Sequence, residues 1–122
     1  MIRVSNDEFD RAVETALASV PDEFRPHLEN VIIEVQDAPD AAFQAENEVP
    51  DDVLGFYVGS PLSERGDDLP TMPDRILIFR RNLCDMCASR RELIDEIRIT
   101  VLHEIGHHFG LNEDRLDELG FA

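Results

Sequence analysis

Apolar residues along this chain recur in two rhythms, and the switches between them outline a mixed fold. Phe9, Val13, Ala16, Leu17 and Val20 follow steps of three and four, so residues 6–19 are expected to form an amphipathic helix. Ser5, with Glu8 three positions on, has the form of a capping box that opens this helix, and Pro21 ends it. A short helical turn is expected through Phe24 and Leu28. The rhythm then tightens: Val31-Ile32-Ile33-Glu34-Val35 is compact and β-branched and reads as a strand. Gly55-Phe56-Tyr57-Val58 and Arg75-Ile76-Leu77-Ile78-Phe79-Arg80 read as two more. Between them, residues 37–52 are acidic, carry no Lys or Arg and contain Pro39 and Pro50, which suggests a loop or a weakly ordered helix. Residues 60–74 hold Pro61, Gly66, Pro70 and Pro73 and read as a loop.

The longest helical pattern lies toward the C-terminus. Ser89 and Glu92 repeat the capping-box form and open an expected helix over residues 90–109. Ile94, Ile97, Val101, Ile105 and Phe109 are its expected core stripe, with Leu93, Glu96, Thr100, His103 and His107 on the neighbouring face. A last short helix is expected over Glu113–Leu119. No repeat, low-complexity segment or second domain is visible, so the 122 residues are expected to form one compact α+β domain, residues 1–122. It would combine a small mixed β-sheet, an N-terminal helix and the long C-terminal helix.

That long helix carries the chemistry. His103-Glu104-Ile105-Gly106-His107 is an H-E-x-x-H sequence, extended by Gly110 and Glu113 to H-E-x-x-H-x-x-G-x-x-E. Residues four apart on a helix lie about 40° apart around the axis and about 6 Å apart along it. His103 and His107 therefore project from one face, where both can bind one Zn²⁺ at about 2.0–2.1 Å. Glu104 is turned about 100° from His103, too far to be the natural next ligand, yet able to reach a water beside the metal as a general base. A catalytic zinc commonly has three protein ligands. Gly110 can end the helix in a left-handed turn and bring the chain back beneath the metal. Glu113 stands at the spacing that metzincin-type sites use for a third ligand, and Asp114, one residue on, competes with it.

Charge narrows the partners. With 11 basic and 27 acidic residues, the net charge is −16. Such a field repels phosphate backbones and anionic membranes, which argues against nucleic-acid or membrane binding. It would favour basic peptide segments, although a solvated acidic surface explains it equally well. No stretch is long and apolar enough to span a membrane, and the first residues lack a basic region followed by an apolar run. A cytoplasmic protein is the expectation.

Other residues of chemical interest suit blander roles. His108 extends the motif, but adjacent helical residues diverge by about 100°, so it is expected to be partly exposed or hydrogen-bonded rather than a ligand of the same metal. His27 is expected to be structural or at the surface. Cys84 and Cys87 form a C-x-x-C with no second pair to complete a structural zinc site, so two reduced thiols are expected, with a reversible disulfide as the alternative. Tyr57, the one tyrosine, is expected to pack, with oxyanion stabilisation as the alternative. Gly106 inside the helix costs about 1 kcal/mol against Ala and implies close backbone packing or room for substrate.

The stretch Thr100-Val101-Leu102-His103-Glu104-Ile105-Gly106-His107-His108-Phe109-Gly110 resembles the zincin-like metallopeptidases, short bacterial proteins with a matrix-metalloprotease-like core. The N-terminal helix, Pro50–Tyr57, Pro61–Arg65, Leu69-Pro70, Arg75–Arg80 and Glu113–Leu116 extend the likeness over nearly the whole chain. The resemblance implies a zincin-like α+β fold, a zinc held by His103, His107 and an acidic residue after Gly110, and Glu104 as base. The family more often has Asp at the third-ligand position, where Glu113 stands here.

The expected activity is that of a zinc-dependent peptidase acting on a peptide or protein substrate, laid extended along an edge strand. The loop at 60–74 would border the cleft, and the acidic segment 37–52 could cover it. Three rival readings stand beside it. A zinc-binding interaction or regulatory module would bind metal without Glu104-dependent turnover. A zinc-dependent RNase is opposed by Glu104 and by the charge. A protease that cuts a repressor would carry its third ligand farther downstream.

Overall fold

A computed structural model describes residues 1–22, 24–28, 31–59 and 74–119, except the side chains of His27, Glu113 and Leu119. The elements follow in the order α1 (Asn6–Ala18), a 3₁₀ turn (Arg25–Leu28), β1 (Val31–Gln36), α2 (Ala41–Asn47), β2 (Gly55–Val58), β3 (Asp74–Phe79), α3 (Arg80–Met86), α4 (Arg90–His108) and α5 (Glu113–Leu119). This is an α+β fold. The expected loop at 60–73 lies outside the described residues, and Asp74, expected in that loop, begins β3.

The sheet is mixed, with strand order β1-β3-β2. β1 runs parallel to β3, from Val31 opposite Asp74 to Gln36 opposite Phe79. β2 runs antiparallel, from Gly55 opposite Ile78 to Val58 opposite Arg75. The central position of β3 explains its composition. From its third residue on, β3 is covered on both faces and apolar: Ile76, Leu77, Ile78 and Phe79 are all buried. One hydrophobic cluster joins Ile76 and Ile78 to Phe9, Val13 and Ala16 of α1, to Leu83 of α3, and to Leu93, Ile97, Val101, Leu102 and Ile105 of α4. Leu116 of α5 completes it.

Local chemistry sets the helix ends. Ser5 Oγ accepts from the Glu8 N–H at 3.1 Å, and Ser89 Oγ accepts from the Glu92 N–H at 3.1 Å. α2 is a formed helix where a loop or weak helix was expected. Asp40 caps it by accepting from the Phe43 N–H at 2.8 Å, and Glu48 closes it at φ 55°. Phe43 anchors it edge-on to Phe56 and Phe79, with ring centroids 5.2 and 5.8 Å apart. Segment 41–47 thus packs against the sheet. α3 was not anticipated. It starts directly from β3 with no side-chain cap, so Arg80, read as strand, is its first residue.

Cys84 lies within α3 and Cys87 just beyond it, both as free thiols. Burial is the main cause that pushes both thiols above their ordinary range. They are correspondingly poor nucleophiles, which suits the expectation of two reduced thiols. No helix among the described residues is long and apolar enough to cross a membrane.

Candidate metal centre

α4 is 19 residues long and buried on several sides. Leu93, Ile97, Val101, Leu102 and Ile105 enter the core. Ile94, expected in the core stripe, is 51% exposed. It lines an open groove between α1 and α4 beside Val4, Phe9 and Ala12.

The helix stops where Gly110 predicted. Gly110 adopts φ 75°, its N–H donates to the His107 carbonyl at 2.9 Å, and the Leu111 N–H donates to the Gly106 carbonyl at 3.0 Å. These two bonds form the Schellman arrangement, which satisfies the last carbonyls and reverses the chain. Asn112 then opens α5, its Oδ1 accepting from the Arg115 N–H at 2.9 Å. α5 docks through Leu116, which is wholly buried. Leu116 sits where a Cβ on residue 106 would be, so Gly106 is the close approach that lets α5 lie on α4.

His103 and His107 face the same way, with ring centroids 4.7 Å apart and planes at 74°. Both are partly exposed, whereas Glu104 is only 8% exposed. Donor atoms of His103, Glu104 and His107 all lie within 4.8 Å of one another. That spacing is compatible with both imidazoles meeting one ion at about 2.0–2.1 Å each. Two imidazoles on one helix face are ligands suited to zinc, and the Glu104 carboxylate stands beside them. The residues therefore fit a metal of this kind. Asp114 is exposed and lies outside that group. Glu113 is the first residue of α5, but its side chain lies outside the described residues.

Thr100, Glu104 and His108 form the side of α4 that meets β2. A Cβ at Gly55 would come within 2.8 Å of Thr100 Cγ2, 3.1 Å of the Leu77 carbonyl oxygen and 3.4 Å of Glu104 Cγ. Only glycine lets β2 lie this close to Glu104. Farther along, His108 is 1% exposed, and its Nδ1 lies 2.8 Å from Asp74 Oδ2. The Tyr57 hydroxyl donates to the same Asp74 oxygen in a short contact and lies 3.2 Å from His108 Nδ1. His108 is thus the hydrogen-bonded histidine expected, though fully buried, and Tyr57 is engaged with Asp74 and His108. Asp74 escaped the sequence reading. The available signal was an acidic residue two positions before the apolar run Ile76–Phe79.

Residues 28–121 match the zincin-like metallopeptidase family. Comparison with curated proteins gives no match. With that match covering most of the chain, and with His103, Glu104 and His107 gathered on one helix, the protein belongs to the zincin-like metallopeptidase family.

Proposed function

We propose that this protein is a zinc-dependent peptidase of the cytoplasm, where its two thiols would stay reduced. The observation that carries the reading is the gathering of His103, Glu104 and His107 within 4.8 Å, with the edge strand β2 directly beside the base. His103, His107 and Glu113 would hold the zinc. When bound, zinc supplies Lewis-acid polarisation and makes a water acidic near neutral pH, with a pKa of about 7.

The chain's own groups do the rest. Glu104, mostly shielded from solvent, accepts a proton as water adds to the scissile carbonyl carbon. It then delivers that proton to the departing nitrogen as the C–N bond breaks. The peptide extends along β2, an edge strand among the described residues, and main-chain pairing there supplies affinity. A net charge of −16 favours basic peptide segments and disfavours nucleic acids and anionic membranes as partners.

The test combines metal content and turnover. Tag-free protein should contain about one zinc per chain by elemental mass spectrometry. Glu113→Ala should lose it and Asp114→Ala should keep it. Glu104→Gln should retain zinc and lose about 10²–10⁴-fold in hydrolysis of a peptide library. Equal activity in Glu104→Gln and the parent would defeat the mechanism.

A further inference from the structure

Among the described residues, the buried polar or charged side chains are Asp74, Thr100, Glu104 and His108. Three of them are spaced by four along α4 and so form a single stripe. Across the seam, Gly55 and Tyr57 are two apart on β2 and share a face. The stripe advances about 6 Å per step and the strand about 6.6–6.8 Å, so the two spacings nearly match. Gly55 lies over Thr100 and Glu104, and Tyr57 lies beside His108. At this end Asp74 joins both, because the Tyr57 O–H and the His108 Nδ1 converge on its Oδ2. An edge strand, the central strand and the metal-site helix therefore meet at one carboxylate oxygen.

Such a junction acts differently from apolar packing. Dispersion and burial are non-directional and tolerate a small slide of one element past another. Two hydrogen bonds to one oxygen do not, because they weaken steeply with angle and leave buried polar groups unpaired when broken. Glu104 lies one turn before His108 on the same stripe, so any roll of α4 that breaks the junction also turns the carboxylate of Glu104.

We propose that Tyr57, Asp74 and His108 are positioning residues that lock the roll of α4 against β2. They thereby set where Glu104 stands relative to a peptide paired with that strand. The inference rests on the peptidase reading above. On that reading, peptide affinity comes from β2 while the aim of the base comes from α4. Loosening the lock therefore lowers kcat and leaves KM nearly constant. A misplacement of about 1 Å costs on the order of 10²-fold in rate.

The experiment compares the zinc-loaded parent with Asp74→Asn and the milder Tyr57→Phe, below the Tm of each. Peptide hydrolysis is measured together with the nuclear Overhauser contact between the Thr100 γ-methyl and the Gly55 α-protons. The expected kcat is about 100-fold lower in Asp74→Asn and about 10-fold lower in Tyr57→Phe, with KM within about threefold and zinc content unchanged. The Thr100–Gly55 contact should weaken in the same order. Parental kcat in both folded variants, with only Tm reduced, overturns the proposal. If Asp74→Asn does not fold, Tyr57→Phe decides by the same two readouts. If the parent itself shows no Glu104-dependent turnover, the peptidase reading falls separately. The Thr100–Gly55 contact alone then supports the lock if it weakens and overturns it if it is kept.

Discussion

The two sides of α4 are built from different materials. One side enters the shared core through Leu93, Ile97 and Val101, together with Phe9, Val13 and Ala16 of α1, and every one of these is apolar. The side on β2 presents Thr100, Glu104 and His108. Apolar burial contributes about 25 cal/mol per Å² and depends little on orientation. Buried hydrogen bonds add little net stability but are expensive to misalign. The apolar side therefore holds the helix in the molecule, and the polar side fixes its rotation. A protein can separate stability from placement in this way within one helix, at neighbouring faces.

Substitution on the apolar side should produce the largest effect and leave the chemistry alone. Ile97 is wholly buried, so Ile97→Ala should cost roughly 2–5 kcal/mol in urea denaturation. Turnover per folded molecule should stay at the parental level. A kcat that fell in proportion to stability would erase the distinction between the two sides.

Gly106→Ala tests the boundary between them. The new methyl would collide with Leu116 and push α5 away from α4. Overpacking of this kind costs about 1–3 kcal/mol, partly offset by the roughly 1 kcal/mol helix advantage of Ala. Because α5 begins at Glu113, zinc affinity should also weaken, and competition with a chromophoric chelator would measure it. Unchanged affinity would mean that α5 does not bring a ligand.

The smallest effect is expected away from α4. Arg75 Nη2 bonds Glu34 Oε2 at 2.6 Å and holds the Glu34 carboxyl below its usual 4.5. As pH falls, the unfolded chain takes up this proton before the folded one does. The contribution is therefore complete above about pH 4.5 and is lost as pH drops through the lower folded value. Both side chains are about two-fifths exposed, and solvent screening limits the pair to about 0.5 kcal/mol. Glu34→Gln should show that small loss in urea denaturation at neutral pH, and the loss should shrink as the pH falls below about 4.5. A loss of several kcal/mol would show that surface pairing, too, sets stability here.

Features that depend on neighbours in sequence were legible, and those that depend on distant partners were not. Ser5 and Ser89 announce helix starts because a cap bonds an N–H three residues on. Gly110 announces the end of α4 because few other residues accept its φ. The spacing of His103, Glu104 and His107 is legible because one helix must aim them together. α2 was read only as a loop or weak helix because its main anchor, Phe43, depends on Phe56 and Phe79. α3 carries no capping side chain, and β-branched neighbours carried the strand reading through Arg80. Asp74 is a poor strand former, and its partners are 17 and 34 residues away. Ile94 kept the helical period yet faces a groove, since periodicity shows which residues share a face and not how closely the next helix covers it.

Gly106 carries a lesson about transplanting the site. In the H-E-x-x-H pattern its position counts as a variable one, and metal geometry alone would admit any good helix former there. Leu116, ten positions away on another helix, removes that freedom. A designer who grafted His103, Glu104 and His107 onto a foreign helix would carry over two imidazoles and a carboxylate. The notch that receives α5 would stay behind, and with it the second helix that this one is shaped to carry.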